Sequence, residues 1–473
     1  MRLRKITTAV MAASLVLAGC SAKTAETAPT TTAETTKAAE TTAVEKETEK
    51  ANWAKSGEYQ ADVVVIGAGG AGMSAALRAG EAGASVIILE KMNYAGGNTT
   101  RSEGGMNAAA TVFQKEKGIE DTVEAMVKDT MTGGKEINNP ELVQYLAENS
   151  SDTIDWLTSI GMDMSDVAQG AGATNPRMHR SADGSKIGGV LVPILMENLE
   201  KQNIRILYST KAAELIKDGD AVTGVAAETA DGSKLTFKAN AVVVATGGFG
   251  ANEDLYVKYR PDLKGFSTTN HPGATGDGIV LAEAVGADTV DMDKIQTNPT
   301  VGGNTQIVIS ESVRGKGAIF VNQSGERFTS EMQTRDVLST AILEQSEKYA
   351  YLVFDQRVMD SMAALQENYE KGIIVKGVDI AGLAEELKID AAGLAETIDT
   401  WNRAVAQKKD DLYGRDTGMD EDLSRAPYYA VKVSPAVHYT MGGIRIDTQT
   451  QVIDTDGNVI PGLFAAGEVT GGV

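Results

Sequence analysis

A glycine-rich turn between two apolar segments constrains the fold of this chain more than any other feature. An apolar run ending at Ile66 predicts a buried strand of a parallel sheet, and a helix is predicted over residues 73–81. The second apolar run, Val86–Leu89, is followed by Glu90, where an acidic side chain can hold the hydroxyls of a ribose. The turn contains three glycines with GxGxxG spacing: Gly67, Gly69 and Gly72. They allow a tight turn, close approach of the backbone to a pyrophosphate, and close packing of helix on strand, so the segment predicts dinucleotide binding.

Two later segments repeat the pattern of an apolar strand that ends in glycine. One is residues 241–245, followed by Thr246 and Gly247, and the other is residues 462–466, which lies just before Glu468. The carboxyl ends of parallel strands meet at one edge of a sheet, where ligands bind. Several such endings indicate one extended ligand, and FAD fits this pattern better than a small nucleotide.

The region between these glycine endings has no further strand–glycine phosphate pattern. We therefore predict an α/β fold in which a Rossmann-like FAD-binding domain, residues 55–292 and 438–473, carries an inserted α+β clamp (capping) domain, residues 293–437. Residues 222–226 and 235–238 are predicted to form a β-hairpin.

The N-terminus has the pattern of a lipoprotein signal peptide. Basic residues precede a short apolar run, and the sequence Leu17-Ala18-Gly19-Cys20 matches a lipobox, so residues 1–20 are predicted as a signal with Cys20 as the lipidated residue. Residues 21–54 are rich in Thr, Ala and Glu, which predicts a disordered tether. We expect a protein anchored by lipid alone on the extracytoplasmic face of the cell membrane.

The scarcity of cysteine and histidine limits the chemistry. Cys20 is the only cysteine, and the three histidines, His179, His271 and His438, are too scattered to predict a metal site. Redox chemistry would then depend on a bound organic cofactor, with electrons arriving from another molecule. A net charge of −21 argues against nucleic acid as a partner.

Longer motifs extend over nearly the whole chain after the tether. They are GAGGAG at Gly67, GGMNAA at Gly104, HPGATGDG at His271, ESVRGKGAIFVNQSGERF at Glu311, TRD at Thr334, HYTMGGIRID at His438 and PGLFAAGEVTGG at Pro461. In these motifs the chain resembles the soluble fumarate reductase/flavocytochrome c branch of the succinate dehydrogenase–fumarate reductase flavoproteins, which includes urocanate reductases. The resemblance implies an FAD-dependent oxidoreductase acting on CH–CH groups, of the kind used in anaerobic respiration.

The resemblance also implies which residues contact FAD. They are Gly67, Gly69, Gly72, Glu90, Asn98, Gly104, Gly105, Thr246, Gly247, Asp277 and Glu468. Family members with covalently attached FAD have a histidine where this chain has Asn98, and an amide cannot form that bond. FAD is therefore expected to bind non-covalently.

The catalytic residues implied by the resemblance lie in and beside the predicted clamp. Arg335 would donate a proton to one alkene carbon while flavin N5 gives hydride to the other. Glu311 and Arg314 would relay the proton from solvent, and His438 would hold a substrate carboxylate, with Ser310 nearby. Clustered cations at this position would stabilise the negative charge that develops on the carboxylate side of the substrate. Glu311 and Arg314 are three residues apart, as expected for neighbours on one helical turn.

Two departures from the family pattern affect the predicted substrate and the extent of the chain. Asn298 stands where fumarate reductases have a histidine that binds the far carboxylate, so Asn298 offers a hydrogen bond without a positive charge. Urocanate or an aryl acrylate therefore competes with fumarate as the predicted substrate. Similar proteins also continue beyond the position of Val473, so we expect the chain to be a fragment.

The source of electrons and two alternative functions follow from the same resemblance. Because the chain has no CxxCH haem motif and no recognisable FMN-attachment segment, we expect a separate donor protein of haem or FMN type at the membrane surface. One alternative is an FAD-dependent dehydrogenase of the ketosteroid 1-dehydrogenase type. The other is a non-catalytic flavoprotein that shuttles electrons.

Overall fold

The computed structural model describes residues 57–170, 172–303 and 305–473. The predicted signal peptide, Cys20 and the whole of the predicted tether lie outside the described residues. Among the described residues, no helix combines the length and the apolar character needed to cross a bilayer.

The strands of the described residues form two large sheets and two small ones. They are β1 Glu58–Ile66, β2 Val86–Leu89, β3 Met106–Asn107, β4 Asp166–Ala168, β5 Met178–Arg180, β6 Arg205–Leu207, β7 Thr210–Asp218, β8 Ala221–Thr229, β9 Lys234–Val244, β10 Ser267–Thr268, β11 Thr289–Val290, β12 Ile295–Gly302, β13 Ile319–Val321, β14 Ala350–Asp355, β15 Ile374–Gly377, β16 Tyr428–Thr440, β17 Gly443–Ile444, β18 Gln451–Ile453 and β19 Val459–Ala465.

The helices are mostly short and lie between these strands. They are α1 Gly70–Glu81, α2 Val112–Glu116, α3 Val123–Gly133, α4 Pro140–Glu148, α5 Ser150–Ser159, α6 Ile187–Lys201, α7 Glu253–Tyr259, α8 Asp277–Ala284, α9 Glu311–Gly315, α10 Arg335–Leu343, α11 Gln356–Asp360, α12 Ala363–Glu370, α13 Ile380–Leu387 and α14 Ala391–Gln407, with 3-10 turns at Gly97–Arg101 and Pro261–Leu263.

The first large sheet contains the strands that the sequence predicted to be parallel. Its order is β18-β19-β9-β1-β2-β6, and β1 pairs in parallel with both β2 and β9. Strand β19 pairs in parallel with β9, so the glycine endings after β1, β9 and β19 meet at one edge of the sheet. The mixed α/β architecture that the sequence predicted is confirmed.

Helix α1 begins three residues before the predicted start. Gly69 is extended at φ −83° and ψ −175°, and its carbonyl accepts a hydrogen bond of 3.0 Å from the Met73 amide, so the first turn already includes Gly70. The helix buries Met73 and Leu77 against β1 and α6. Full burial of a side chain of this size stabilises the fold by roughly 1.5–3 kcal/mol.

The predicted hairpin of residues 222–226 and 235–238 is present but belongs to a three-stranded antiparallel meander. Strand β8 pairs with β9 as predicted, and also with β7 on its other side. A register irregularity between Ala212 and Glu214 interrupts the alternation of buried and exposed residues in β7, which explains why the sequence pattern did not indicate this strand.

The second large sheet is formed mostly by strands of the predicted clamp, with β10 added from outside it, and is organised around one long strand. Strand β16 pairs with β10, β12, β14 and β15. Successive residues of β13 alternate between its two faces, since Phe320 packs in a core with α10 and α11, whereas Ile319 and Val321 pack with α13 and α14. Residue 437, the predicted end of the clamp, falls inside β16, so the strand leads directly towards the first sheet. The domain boundaries stay a prediction.

Candidate active site

The edge of the first sheet where β1, β9 and β19 end forms a cleft. Most of the residues predicted to contact FAD line it: Gly67, Gly69, Glu90, Asn98, Thr246, Gly247, Asp277 and Glu468. Gly72, Gly104 and Gly105 do not line this cleft, and Gly72 packs against Gly67 in the first turn of α1. Gly105 instead lines an adjoining cavity that shares Gly70, Ala71 and Thr99 with it.

The glycines of the turn have different steric constraints. Gly67 has φ +104°, and a Cβ there would lie 2.4 Å from the carbonyl oxygen of Ala245. A Cβ on Gly72 would lie 1.9 Å from the carbonyl oxygen of Gly67. A Cβ on Gly69 would meet nothing closer than 3.8 Å, so the fold itself does not require glycine there. The absence of a side chain at Gly69 keeps the cleft open at the start of α1, where free N–H groups favour a phosphate.

Glu90 holds the turn in place from the end of β2. Its Oε2 accepts a hydrogen bond of 2.9 Å from the Ala68 amide, and its Oε1 accepts one of 2.8 Å from the Met92 amide. Because a carboxylate oxygen can accept more than one hydrogen bond, the side chain can still receive ribose hydroxyls.

Asp277 is held at the cleft by two lysines. Lys91 Nζ lies 2.8 Å from Asp277 Oδ2, and Lys211 Nζ lies 3.5 Å from Oδ1. Burial alone would raise the pKa of Asp277, but the hydrogen bond and charge of Lys91 lower it below its usual value. The group is therefore ionised at neutral pH and oriented by both cations.

Asn98, Asn270 and Glu468 form a polar network at the other end of the cleft. Asn98 Nδ2 donates to Asn270 Oδ1 at 2.7 Å and to Glu468 Oε2 at 3.1 Å, and Asn98 Oδ1 accepts from the His271 amide at 2.7 Å. The pKa of Glu468 is raised, because the effect of burial outweighs the opposite effect of its hydrogen bonds from Asn98, Thr440 and the Gly248 backbone. The amide side chain of Asn98 thus acts as both donor and acceptor, a role that fits non-covalent binding.

The residues of the cleft fit FAD. Thr246 Oγ1 is buried and has no hydrogen-bond partner among the described residues, although it lies at the lining of the cleft. A buried polar atom without a partner is costly unless a ligand satisfies it. The glycine turn with its free N–H groups suits a pyrophosphate, and Glu90 suits a ribose.

Arg335, the first residue of α10, is held between two acceptors. Its Nε donates to Glu311 Oε1 at 2.7 Å and its Nη1 donates to Gln296 Oε1 at 2.7 Å. The adjacent Asp336 instead pairs with Lys135 at 3.0 Å. Arg335 is therefore oriented by Glu311 and Gln296, not by its neighbour in sequence.

Glu311 and Arg314 lie on the same short helix, α9, as the spacing predicted. Arg314 Nη2 lies 3.5 Å from Glu311 Oε1, the atom that also accepts from Arg335. Burial would raise the pKa of Glu311, but the hydrogen bond and charge of Arg335, with the charges of Arg314 and His438, lower it. The pKa of the Arg314 guanidinium is lowered first by burial and further by the charges of Arg335 and Arg415.

His438 lies near the same cluster and is neutral. Its Nδ1 is 2.6 Å from Thr269 Oγ1. Burial and the charge of Arg335 lower the pKa of His438 to about 4. Asn270 Nδ2 donates to the His438 carbonyl at 3.2 Å, so a single asparagine connects the cleft network with the strand that carries His438.

Ser310 and Asn298 have local hydrogen bonds. Ser310 caps α9 by accepting from the Ser312 amide at 3.3 Å, which places it directly beside Glu311. Asn298 is buried in β12, and its Oδ1 accepts from the Thr300 amide at 3.0 Å and from Thr300 Oγ1 at 3.2 Å. The hydrogen bonds of Asn298 thus stabilise β12, and none joins it to the Arg335 cluster.

Two residues of the cluster were missed from the sequence. Gln296 contacts Arg335 because α10 packs against β12, a long-range contact that no local motif indicates. Thr269 contacts His438 because β10 lies beside β16. Its position two residues before His271, where one of the family motifs begins, was the available signal.

Fold and site together define an FAD-dependent oxidoreductase. Residues 62–473 match the family described as "FAD binding domain", and the chain belongs to this family. It is 45% identical to an NADH:fumarate oxidoreductase of Klebsiella pneumoniae over 87% of this chain and 44% of that protein. It is 42% identical to a fumarate reductase (cytochrome) of Shewanella frigidimarina over 91% of this chain and 76% of that protein.

A solved structure agrees with these relatives. The open conformation of a flavocytochrome c3 fumarate reductase superposes with a TM-score of 0.80 at 39% identity, covering 91% of this chain and 76% of that one. The chain thus spans under half of the Klebsiella protein and about three quarters of the other two. The resemblance, the FAD cofactor and the class of oxidoreductases acting on CH–CH groups are confirmed.

Proposed function

We propose that the chain reduces the C=C bond of a small α,β-unsaturated carboxylate of the fumarate or urocanate type. One observation carries the proposal: the guanidinium groups of Arg335 and Arg314 both contact the carboxylate of Glu311. A neutral His438 lies beside them. The names of the relatives, which are fumarate reductases, support this substrate class. Bound FAD would supply the hydride.

In this proposal Arg335 donates the proton. Its Nε and Nη1 are held by Glu311 and Gln296, whereas Nη2 has no hydrogen bond to a described residue and can face the substrate. The guanidinium of arginine is a weak acid, so the proton that Arg335 gives up must be returned to it at once by a neighbouring group. Glu311, at 2.7 Å from Nε, would pass that proton to Arg335.

Arg314 is the next group in the relay. Its lowered pKa makes it a better proton donor than an exposed arginine, and it faces the same oxygen of Glu311. In the proposed relay a proton passes from Arg314 to Glu311 and on to Arg335 after each turnover, and Arg314 then takes up a proton from solvent.

His438 would hold the substrate carboxylate as a neutral donor. The Thr269 hydroxyl lies 2.6 Å from Nδ1 and 3.4 Å from the Val437 carbonyl, so we assign its hydrogen to Nδ1. Nδ1 is then the acceptor, and Nε2–H is free to donate to a carboxylate.

Electron delivery and location complete the proposal. We infer a separate donor protein of haem or FMN type, since one relative is named fumarate reductase (cytochrome) and another NADH:fumarate oxidoreductase. The lipobox at Cys20 supports a lipid anchor at the extracytoplasmic face of the membrane.

The test is a substrate screen on the purified full chain loaded with FAD. Reduced viologen should be oxidised when fumarate, urocanate or cinnamate is added, with the saturated acid as product. Inertness towards all unsaturated acids would reject the proposal. Flavin reduction by a 3-ketosteroid would favour the dehydrogenase alternative instead.

A further inference from the structure

A buried ionic network lies directly behind Arg314, on the side away from Glu311. Glu331 and Arg415 have side chains that are 0% exposed and are joined at 2.9 Å between Arg415 Nη1 and Glu331 Oε2. Arg327 completes the group by bonding both oxygens of Glu331, at 2.9 and 2.8 Å, and Asp410 at 3.0 Å. Charges are buried this completely only when every member is paired.

The network binds both the backbone and the side chain of Arg314. Arg415 Nη2 donates to the Arg314 carbonyl at 2.6 Å, and Arg314 Nη1 donates to the Glu331 carbonyl at 2.6 Å. The remaining donors of Arg415 reach backbone carbonyls of Ala318, Thr417 and Gly418 at 2.8–3.0 Å. Both the backbone and the guanidinium of Arg314 are therefore fixed by one ion pair.

The ring of Trp401 packs against both arginines of the network. The guanidinium carbons of Arg415 and Arg327 lie 4.5 and 4.7 Å from the centre of the Trp401 ring. Stacking on an aromatic face fixes the plane of a guanidinium, which lysine does not reproduce.

The geometry points to Arg415 and Glu331 as positioning residues that set the orientation of the Arg314 guanidinium towards Glu311. Helix α9 contains only residues Glu311–Gly315, so it is too short to hold this geometry by its own hydrogen bonds. Arg314 Nε is buried and has no partner among the described residues, so the side chain depends on the Glu331 carbonyl and on Glu311. The inference rests on the proposed function only where activity is the readout.

The test compares two buried arginines, one inside the network and one outside it. Arg415→Lys keeps the charge but cannot reach the Arg314 carbonyl together with the other acceptors. Arg177→Lys is the matched control, since Arg177 is as buried as Arg415 and pairs with Asp121 and Asp129 at 2.9 Å, away from Arg314 and the network. Misplacement of a catalytic group by about 1 Å can cost about 100-fold in rate. We expect kcat for the unsaturated acid to fall roughly 10- to 100-fold in Arg415→Lys, with KM unchanged within threefold and FAD retained, and to stay within threefold in Arg177→Lys.

The pH profile separates positioning from a general loss of stability. The groups that act on Glu311 are Arg335, Arg314 and His438, and Arg314 lowers its pKa. Displacement of Arg314 should raise the pKa of Glu311, so the loss of activity on acidification should begin at a higher pH in Arg415→Lys. A profile and a kcat equal to those of wild type in folded Arg415→Lys, or an equal loss of kcat in Arg177→Lys, would overturn the inference.

A double variant and a structural readout cover the remaining outcomes. If Arg415→Lys does not fold, Glu331→Leu with Arg415→Met removes two opposite charges together, an exchange that buried ion pairs often tolerate. It should fold and show the same loss of kcat. If wild type has no reductase activity, crystal structures decide: Arg314 should move away from Glu311 in Arg415→Lys but not in Arg177→Lys, and an unmoved Arg314 in both contradicts the inference.

Discussion

His438 is the residue whose titration reports the environment of the site most directly. Its pKa is lowered to about 4, first by burial and then by the charge of Arg335. Neutral His438 suits a site that already contains two guanidinium groups, because a third cation there would be repelled. A carboxylate bound at Nε2 would then receive a hydrogen bond from His438 and its electrostatic stabilisation from the arginines.

The same shift predicts a pH dependence of stability. Between pH 6.5 and 4 the unfolded chain binds a proton on this histidine that the folded chain does not, so the free energy of unfolding falls as the pH falls through this window. For this half-buried ring we expect a loss of roughly 1–3 kcal/mol.

The measurement is urea unfolding of wild type and His438→Asn at pH 7 and pH 4.5. Burial also lowers the pKa of His179 and His271, so only the difference between the two proteins isolates His438. The wild type should lose more stability than the variant on acidification. Parallel losses would show that His438 does not titrate in this window.

At the scale of elements, the glycine turn between β1 and α1 contains one glycine that the fold requires, Gly72, and one that the fold does not require, Gly69. We expect glycine at the second position to serve cofactor binding. Gly72→Ala would force its Cβ against the Gly67 carbonyl, at 1.9 Å, whereas Gly69→Ala would meet no atom within 3.8 Å. Overpacking of this kind costs about 1–3 kcal/mol. We expect Gly72→Ala to lower the free energy of unfolding of the FAD-free protein by this amount.

Gly69→Ala is the matched variant for the same turn. It should leave the FAD-free protein within about 0.5 kcal/mol of wild type, as substitutions without steric conflict usually do. It should nevertheless weaken FAD binding, because the added methyl group lies where the pyrophosphate approaches. Apoprotein unfolding and titration with FAD distinguish the two effects, and equal FAD affinity in Gly69→Ala and wild type would refute the placement of the pyrophosphate.

The elements that could be predicted from sequence are those fixed by local pattern. Strands that end in glycine, the helix after Gly69 and the turn holding Glu311 and Arg314 all follow from short-range rules. The partner Gln296 could not be predicted, because it reaches Arg335 only through the packing of α10 on β12. Thr269 lies two residues before a family motif, but its contact with His438 depends on the pairing of β10 with β16. Likewise, the network of Glu331 and Arg415 joins positions far apart in sequence through side chains alone.

At the scale of the whole molecule, the predicted lipid anchor sets where the enzyme would meet its donor. Replacement of the cysteine predicted to carry the lipid, Cys20→Ser, should move the protein from the membrane fraction to the soluble fraction without changing the dye-linked rate of the purified protein. A single acyl chain binds membranes only weakly, so anchoring depends on the multiple chains that lipoprotein processing attaches. Fractionation followed by immunoblotting checks this, and equal membrane association of the variant would contradict the anchor.

The central claim, that Arg335 supplies the proton for reduction of the unsaturated acid, can be tested by single-turnover reoxidation of the reduced flavoprotein. The comparison is between wild type, Arg335→Lys and the control Arg357→Lys, since Arg357 also pairs with a glutamate, Glu421, at 2.6 Å. Wild type and Arg357→Lys should be reoxidised by the acid, whereas Arg335→Lys should be slower by at least about 100-fold, in keeping with the loss of a positioned acid, although oxygen still reoxidises it. Reoxidation of Arg335→Lys at the wild-type rate would contradict the account.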